Sequence, residues 1–259
     1  MRIRTLLTTA LLAALPLAGA VAKDAALAKA VSSDQRTPAM VERDKYRHPQ
    51  EVLEFAGIKP TMTVVEISPG GGYWTEILGP YLKDKGTYYT ATSPRAMENW
   101  TKKVADNKAR WGEVKITEFT KDKYDIAPAG SADLVITSRN VHNWMGAGFA
   151  DEAFAAFYKA LKPGGILSVE EHRASTDQPQ DPKAANGYVR EDHTIALAEK
   201  AGFKLVAKSE ALANPKDTKD WPKGVWTLPP TLTLGETDRA KYQAIGEADN
   251  FLLKFVKPE

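Results

Sequence analysis

A doubly wound α/β fold, with a mainly parallel sheet of about seven strands and an antiparallel last strand, is the architecture this sequence predicts. Three observations predict it. Strand-length runs of β-branched and apolar residues alternate with segments at helical spacing, which implies parallel pairing through crossovers. A triple-glycine turn, in VVEISPGGGYWTEIL at 64–78, joins the first strand to the first crossover helix. The chain has 259 residues, enough for one such domain with a sizeable core and too few for two comfortable ones.

Taken in order, residues 23–42 are rich in Ala, Lys and Ser and read as a loose N-terminal arm. The domain spans 43–259. It opens with a short helix that carries Val52, Leu53, Phe55 and Ile58, before Gly57 and Pro60 punctuate. Thr63–Ile67 is the first strand. Trp74, Ile77, Leu78 and Tyr81 then fall at helical spacing, with Pro80 limiting the helix. GTYYTAT is the second strand, and Ser93-Pro94 starts the next helix with an N-cap and a proline at its first position. VKITEF and SADLVITSRN are the third and fourth strands. Asp151 caps a helix striped by Phe154, Phe157, Tyr158 and Leu161, which Lys162-Pro163-Gly164-Gly165 ends. ILSVEEH is the fifth strand. A helix at Asp192–Ala201, a strand at Phe203–Ser209, a Pro- and Trp-bearing excursion, a helix-like ETDRAKYQAIGEADN and a closing strand FLLKFVK complete the chain.

The first residues, MRIRTLLTTALLAALPLAGAVAKD, have the pattern of a secretory signal peptide over 1–22. Arg2 and Arg4 precede an apolar run from Leu6 to Leu17, and Ala18-Gly19-Ala20 or Ala20-Val21-Ala22 offers a cleavage site. The run is short and broken by Pro16, a poor bilayer span. A periplasmic or secreted mature protein is expected, with no membrane contact after cleavage. Losing Arg2 and Arg4 takes the formal charge of +2 to near zero, which leaves no electrostatic footprint for nucleic acid. The chain has no cysteine, so disulfides and thiolate metal sites are excluded.

A glycine turn at a strand's carboxyl end lets a ligand approach the backbone, though it also serves as a plain turn. With E-x-S-P-G-G-G at 66–72, DLVITSRNVHNW, ALKPGGILSVEEH and the late pair FKLVAKSEA and FLLKFVK, the chain resembles the class I S-adenosylmethionine-dependent methyltransferases, in particular predicted bacterial members that carry a signal peptide. The resemblance covers roughly residues 50–210 plus the last strand. It implies a Rossmann-like sheet and S-adenosyl-L-methionine as cofactor. Glu66, Ser68, Gly70 and Gly72 then line its methionine and ribose side, with Thr92, Asp122 and Asn140 as further contacts. Ser68 stands where the family's first glycine is usual, and Thr92 where an acid usually meets the ribose. Asp122 stands for the acid that flanks the adenine.

No Asn/Asp-Pro-Pro-Tyr/Phe stretch follows the fourth strand, unlike methylators of nucleic-acid or glutamine amines; Asn140-Val141-His142-Asn143-Trp144 looks more like a small-molecule methyltransferase. Methyl transfer rests on positioning, and a hydroxyl or amine acceptor also needs a base, which His supplies. His142 follows strand four, and Glu171 and His172 follow strand five, so all three are candidates for chemistry; each histidine can equally satisfy loop carbonyls. A metal held by His142, His172, His193 and a carboxylate is the competing constellation, but no two of these histidines have close ligand spacing, and no metal is expected. Arg43, Asp44, Tyr46, Arg47 and His48 form either a substrate-facing cluster or a solvated face, and Arg190, Trp221, Trp226 and Tyr242 mark the excursion as a possible pocket wall or a pinned loop. The expectation is a methyltransferase for a small molecule; the rival is an exported, non-catalytic binding protein derived from the same fold.

Overall fold

The computed structural model describes residues 24–259, and the signal peptide expected at 1–22 lies outside them. In chain order the helices and strands are α1 (Ala25–Val31), α2 (Pro38–Val41), α3 (Asp44–Arg47), α4 (Pro49–Ala56), β1 (Thr63–Ile67), α5 (Thr75–Leu82), β2 (Thr87–Thr92), α6 (Pro94–Asp106), α7 (Lys108–Trp111) and β3 (Val114–Glu118). Then follow β4 (Ala132–Ser138), α8 (Val141–Ala147), α9 (Ala150–Ala160), β5 (Leu161–His172), α10 (Glu191–Lys200), β6 (Lys204–Ser209), α11 (Arg239–Ile245) and β7 (Asn250–Val256). They build one seven-stranded sheet in the order β3-β2-β1-β4-β5-β7-β6. The first five strands pair in parallel, and β7 runs antiparallel between β5 and β6.

Strand alternation explains the two layers. Val65, Ile67, Val135, Val169 and Leu253 face a core completed by Phe154 and Phe157 of α9. Their neighbours Val64, Leu134, Ile136 and Leu252 face the other side, with Leu27 of α1, Leu53 of α4 and Ile77 and Leu78 of α5. The strand order reverses between β1 and β4, and ligands of open α/β sheets bind outside the strand ends at such a point. A third, smaller cluster of Tyr188, Val225, Leu228 and Tyr242 sits under the excursion before β7.

The expected elements form, with local differences. β5 begins at Leu161, earlier than expected, because Leu161 already pairs with Ala132 before the register shifts. α9 starts at Ala150, so Asp151 lies in its first turn, where a carboxylate still meets the helix dipole favourably. The segment expected as a loose arm is folded. Asp24 caps α1 by accepting from the backbone N–H groups of Ala26 and Leu27, and Leu27 is fully buried against the β1–α5 layer. Arg36 is buried and grips Asp44 through both nitrogens of its fork (2.6 and 2.8 Å), while Thr37 donates from its backbone and hydroxyl to Glu76. Its Ala-rich composition reads as weakly structured because the partners come from α5 and α3.

Candidate active site

The glycine turn follows β1 directly at the reversal point. Ser68 N–H donates to Ala91 carbonyl (2.8 Å), which carries β1–β2 pairing one step further, and the chain then bends through left-handed conformations at Ser68 (φ 52), Gly70 (φ 55) and Gly72 (φ 92). At Ser68 that backbone is strained for a residue with a Cβ. A Cβ built on Gly70 meets nothing nearer than Ser68 carbonyl at 4.0 Å, so a ligand can approach this backbone. A Cβ on Gly72 would meet the Trp100 ring at 3.3 Å. Gly70 therefore faces open space, whereas Gly72 is packed against α6.

Outside Gly70 lies a cavity of about 280 Å³. Glu66, Ser68 and Asn140 line it, together with Arg47 of α3 and Ser138 and Arg139 at the end of β4. Asn140 spans the gap between the two strand ends, donating to Ile67 carbonyl at 3.2 Å and Ser138 carbonyl at 3.1 Å. Glu66 is buried and accepts from the hydroxyls of Thr75 (2.6 Å) and Tyr88. Burial pushes its carboxyl up to about 7, although those two bonds and Arg47 act in the opposite direction. Thr92 is buried at the end of β2 and is not among the residues that line this cavity. Asp122 does not reach the cavity. It takes a left-handed conformation (φ 70) in the exposed turn closed by Thr120 and Lys123, and the turn, not the sequence spacing, decides where its carboxylate goes.

The three residues predicted for chemistry converge on the neighbouring strand ends. His142 opens α8, Glu171 and His172 close β5, and all three are buried. His142 Nδ1 lies 3.0 Å from Glu171 Oε1, and Glu171 also accepts the backbone N–H groups of His142 (3.2 Å) and His172 (2.8 Å). A carboxylate can only accept here, so Nδ1 of His142 is the donor to Glu171 and Nε2 is the ring nitrogen turned away from it. Glu171 is held below the ordinary carboxylate range: burial opposes this, but the charge and hydrogen bond of His142 outweigh it. His172 Nδ1 meets Asn250 Oδ1 at 2.7 Å across the β5–β7 pair, and burial pushes its pKa down to about 3. The two imidazoles lie 5.6 Å apart between centroids, with Trp226 of the excursion at 6.0 Å from His142.

Among the described residues, His142, Glu171 and His172 bring metal-type donor atoms within 4.8 Å of one another, a convergence their sequence spacing hides. Three donors already engage Glu171, which leaves the two Nε2 atoms as the ligands such a site offers. Other candidates stay apart. Arg190 is tied to Asp192 (2.9 and 2.5 Å) and to the Thr176 and Gln178 carbonyls, and Trp221 is pinned by Asp217 and Tyr242. Arg47 was one member of a basic run; its place at the centre of the cavity depends on Ser138 and Glu170, 91 and 123 positions away.

The family model described as a methyltransferase domain matches residues 40–208. Among solved structures, a SAM-dependent methyltransferase from Aquifex aeolicus superposes with a TM-score of 0.58 at 17% identity, over 85% of this chain and 94% of that one. The [4+2]-cyclase SpnF reaches 0.58 at 14% identity, over 82% and 80%. The phosphoethanolamine N-methyltransferase 2 of Haemonchus contortus, solved in complex with S-adenosyl-L-methionine, reaches 0.56 at 17% identity, over 83% and 53%. No curated protein matches by sequence.

Proposed function

This chain belongs to the methyltransferase-domain family, and from that premise we propose that it is an S-adenosylmethionine-dependent methyltransferase acting on a small molecule. The observation that carries the reading is the open Gly70 backbone at the reversal point, with an oriented histidine–carboxylate pair one strand away. The residues fit the cofactor's amino-acid end: the strained glycine turn permits close backbone approach, and Glu66, Asn140 and Arg47 supply polar contacts around the cavity.

Bound there, S-adenosylmethionine supplies an electrophilic methyl carbon. The chain's own work is to align the acceptor, exclude water and take its proton. His142 takes that proton at Nε2, because Nδ1–H already points at Glu171, whose negative charge stabilises the imidazolium formed. His172 stays neutral, so it serves as a hydrogen-bonding neighbour and not as a base. Trp226 and Tyr188 flank the two rings and keep the site dry.

A second reading, a non-catalytic ligand-binding protein on the same fold, is favoured by two observations: Asp122 is exposed in its own turn, and Thr92 brings no charge to the end of β2. Calorimetric titration with S-adenosylmethionine and S-adenosylhomocysteine separates the two. Micromolar binding of both is expected, and no heat with either leaves the second reading standing. Arg2, Arg4 and the apolar run support export of the mature chain. Mass spectrometry from the native host should find an N-terminus near Val21 or Lys23 outside the inner membrane; an intact chain in the cytosol would end that claim.

A further inference from the structure

Two imidazoles meet beyond the carboxyl ends of β4 and β5, each with one nitrogen already fixed. His142 Nδ1 donates to Glu171 Oε1 at 3.0 Å. His172 Nδ1 donates to Asn250 Oδ1 at 2.7 Å, and that amide is itself held, because its Nδ2 donates to the Ala248 carbonyl at 3.0 Å. In the neutral rings Nε2 is then the atom with the lone pair on both histidines. Among the described residues neither Nε2 meets a hydrogen-bond partner, although the two residues are only 7% and 8% exposed. Both atoms still touch solvent, so an ion can reach them. Two acceptors stand open side by side, and neither can satisfy the other.

The surroundings narrow what completes them. The rings stand 5.6 Å apart between centroids, and one donor atom from each of His142, Glu171 and His172 lies within 4.8 Å of the others. Imidazole nitrogens at about 2.0–2.1 Å from a four-coordinate zinc sit roughly 3.4 Å apart, so small side-chain rotations draw the pair onto an ion. An Nδ1–H held by a carboxylate or a carbonyl is the outer partner that ligating histidines use, and both rings have one. Other donors nearby are spent: Tyr188, beside His172, gives its hydroxyl to Asp217 (2.9 and 3.0 Å), and Arg139 is tied to Glu247 at 2.5 Å. The geometry points to a divalent transition-metal site, in which the Nε2 atoms of His142 and His172 hold the ion while Glu171 and Asn250 orient them from outside. Two imidazoles without a thiolate suit zinc or a similar borderline ion, whereas magnesium and calcium prefer oxygen. The remaining coordination positions are left for water or an oxygen of a bound small molecule. The site does not depend on the methyltransferase reading. Its consequence does: Nε2 of His142 cannot hold an ion and accept a proton at once, so the loaded chain is the form without its base.

The test uses the full mature chain, stripped of metal by a chelator, and titrates Zn²⁺ and Mg²⁺ alone by calorimetry. One Zn²⁺ per chain is expected, bound roughly a hundredfold or more tighter than Mg²⁺. His142→Gln and His172→Gln should each weaken Zn²⁺ by about tenfold or more. Glu171→Gln should weaken it by about 10–100-fold through the lost outer partner, and His193→Gln, on α10, should leave it unchanged. Should a pair variant not fold, the wild type still decides. The imidazole NMR signals of His142 and His172 should move together at one equivalent of Zn²⁺, while those of His48 and His193 stay. Zn²⁺ bound no tighter than Mg²⁺, binding that a folded pair variant keeps, or signal shifts confined to His48 or His193 each overturn the proposal. S-adenosylhomocysteine titrated into the same samples keeps the two readings apart. Zn²⁺ bound without the nucleoside removes the methyltransferase reading and leaves the metal site, and nucleoside bound without Zn²⁺ removes only the metal site.

Discussion

Replacing Glu66 by Gln should change how stability depends on pH, and in an unusual direction for a carboxyl. In the folded protein the group sits at about 7 against an ordinary value of 4.5, chiefly because burial penalises its charged form. Between those values the unfolded chain has released the proton and the native chain still holds it, so stability falls as pH rises. The contribution is fully present below about 4.5 and is lost as pH climbs through about 7. At about 1.4 kcal/mol per pKa unit, the loss is on the order of 3 kcal/mol. Glu171 and Glu247 have lowered folded values, so their stabilisation is lost as pH falls; they are common to both proteins and cancel in the comparison. The Gln carbonyl can still accept from Thr75 and Tyr88, which keeps the substitution close in shape. Urea denaturation of both proteins from about pH 4.5 to about pH 8 should give a stability difference that shifts progressively in favour of Gln. A flat difference would refute the claim that burial dominates at Glu66. A difference of opposite slope would mean that Glu66 is ionised in the fold and paired with Arg47.

Other substitutions probe the remaining steps. His142→Ala should bind S-adenosylhomocysteine like wild type yet transfer methyl groups about 10²–10⁴-fold more slowly once an acceptor is in hand; unchanged turnover with a lower melting temperature would make it a structural histidine. Gly70→Ala should weaken cofactor binding, since it places a Cβ on the open backbone at φ 55, whereas Asp122→Asn should leave binding unchanged; calorimetry reads both, and a loss at Asp122 would show that its turn rearranges to meet the ligand. Leu27→Ala should cost about 2–5 kcal/mol in urea denaturation, the range for a buried leucine; no loss would mean that α1 does not contribute to the fold.

Much of the architecture was legible because it is local. Period-two runs and glycine punctuation identify strands whose burial needs no distant partner to be inferred, and β1 and β7 fall where VVEI and FLLKFVK place them. The convergence of His142, Glu171 and His172 was legible through topology, since parallel strands put their carboxyl ends on one edge. What sequence reasoning missed is set by side-chain geometry across long separations. Asp122 sits at a plausible spacing but is exposed in a turn at φ 70 and does not line the cavity. The arm at 23–42 has a composition that reads as loose, and its order comes from Leu27, Arg36 and Thr37 finding sites on distant elements. Arg47 belonged to a cluster that the sequence left open between a substrate-facing and a solvated face, and it is Ser138 and Glu170, far along the chain, that fix its place.

The carboxyl end of β5 shows why both halves of the site sit on one short stretch. Successive strand residues point to opposite faces, so Glu170 and Glu171 separate two tasks by one position. Glu170 turns toward Arg47 and the Ser138 hydroxyl, on the side of the glycine turn, where it balances part of the guanidinium charge around the cavity. Glu171 turns toward the imidazole of His142 and the backbone of His172, where it fixes a proton on Nδ1. Arg139 stands between them in a left-handed conformation at φ 61, strain that its contacts to Glu170 and Glu247 help to hold. A one-residue slip of β5 would bring either His172 to His142 in place of Glu171, or Val169 to Arg47 in place of Glu170, so either direction deprives one of the two groups of its carboxylate. Pairing of Glu170 with Leu252 and of Glu171 with Phe251 on β7 guards against that slip, because both partners are buried on defined faces. The antiparallel β7 thus does for the chemistry what the glycine turn does for the cofactor: it holds backbone register so that a neighbouring group meets its ligand.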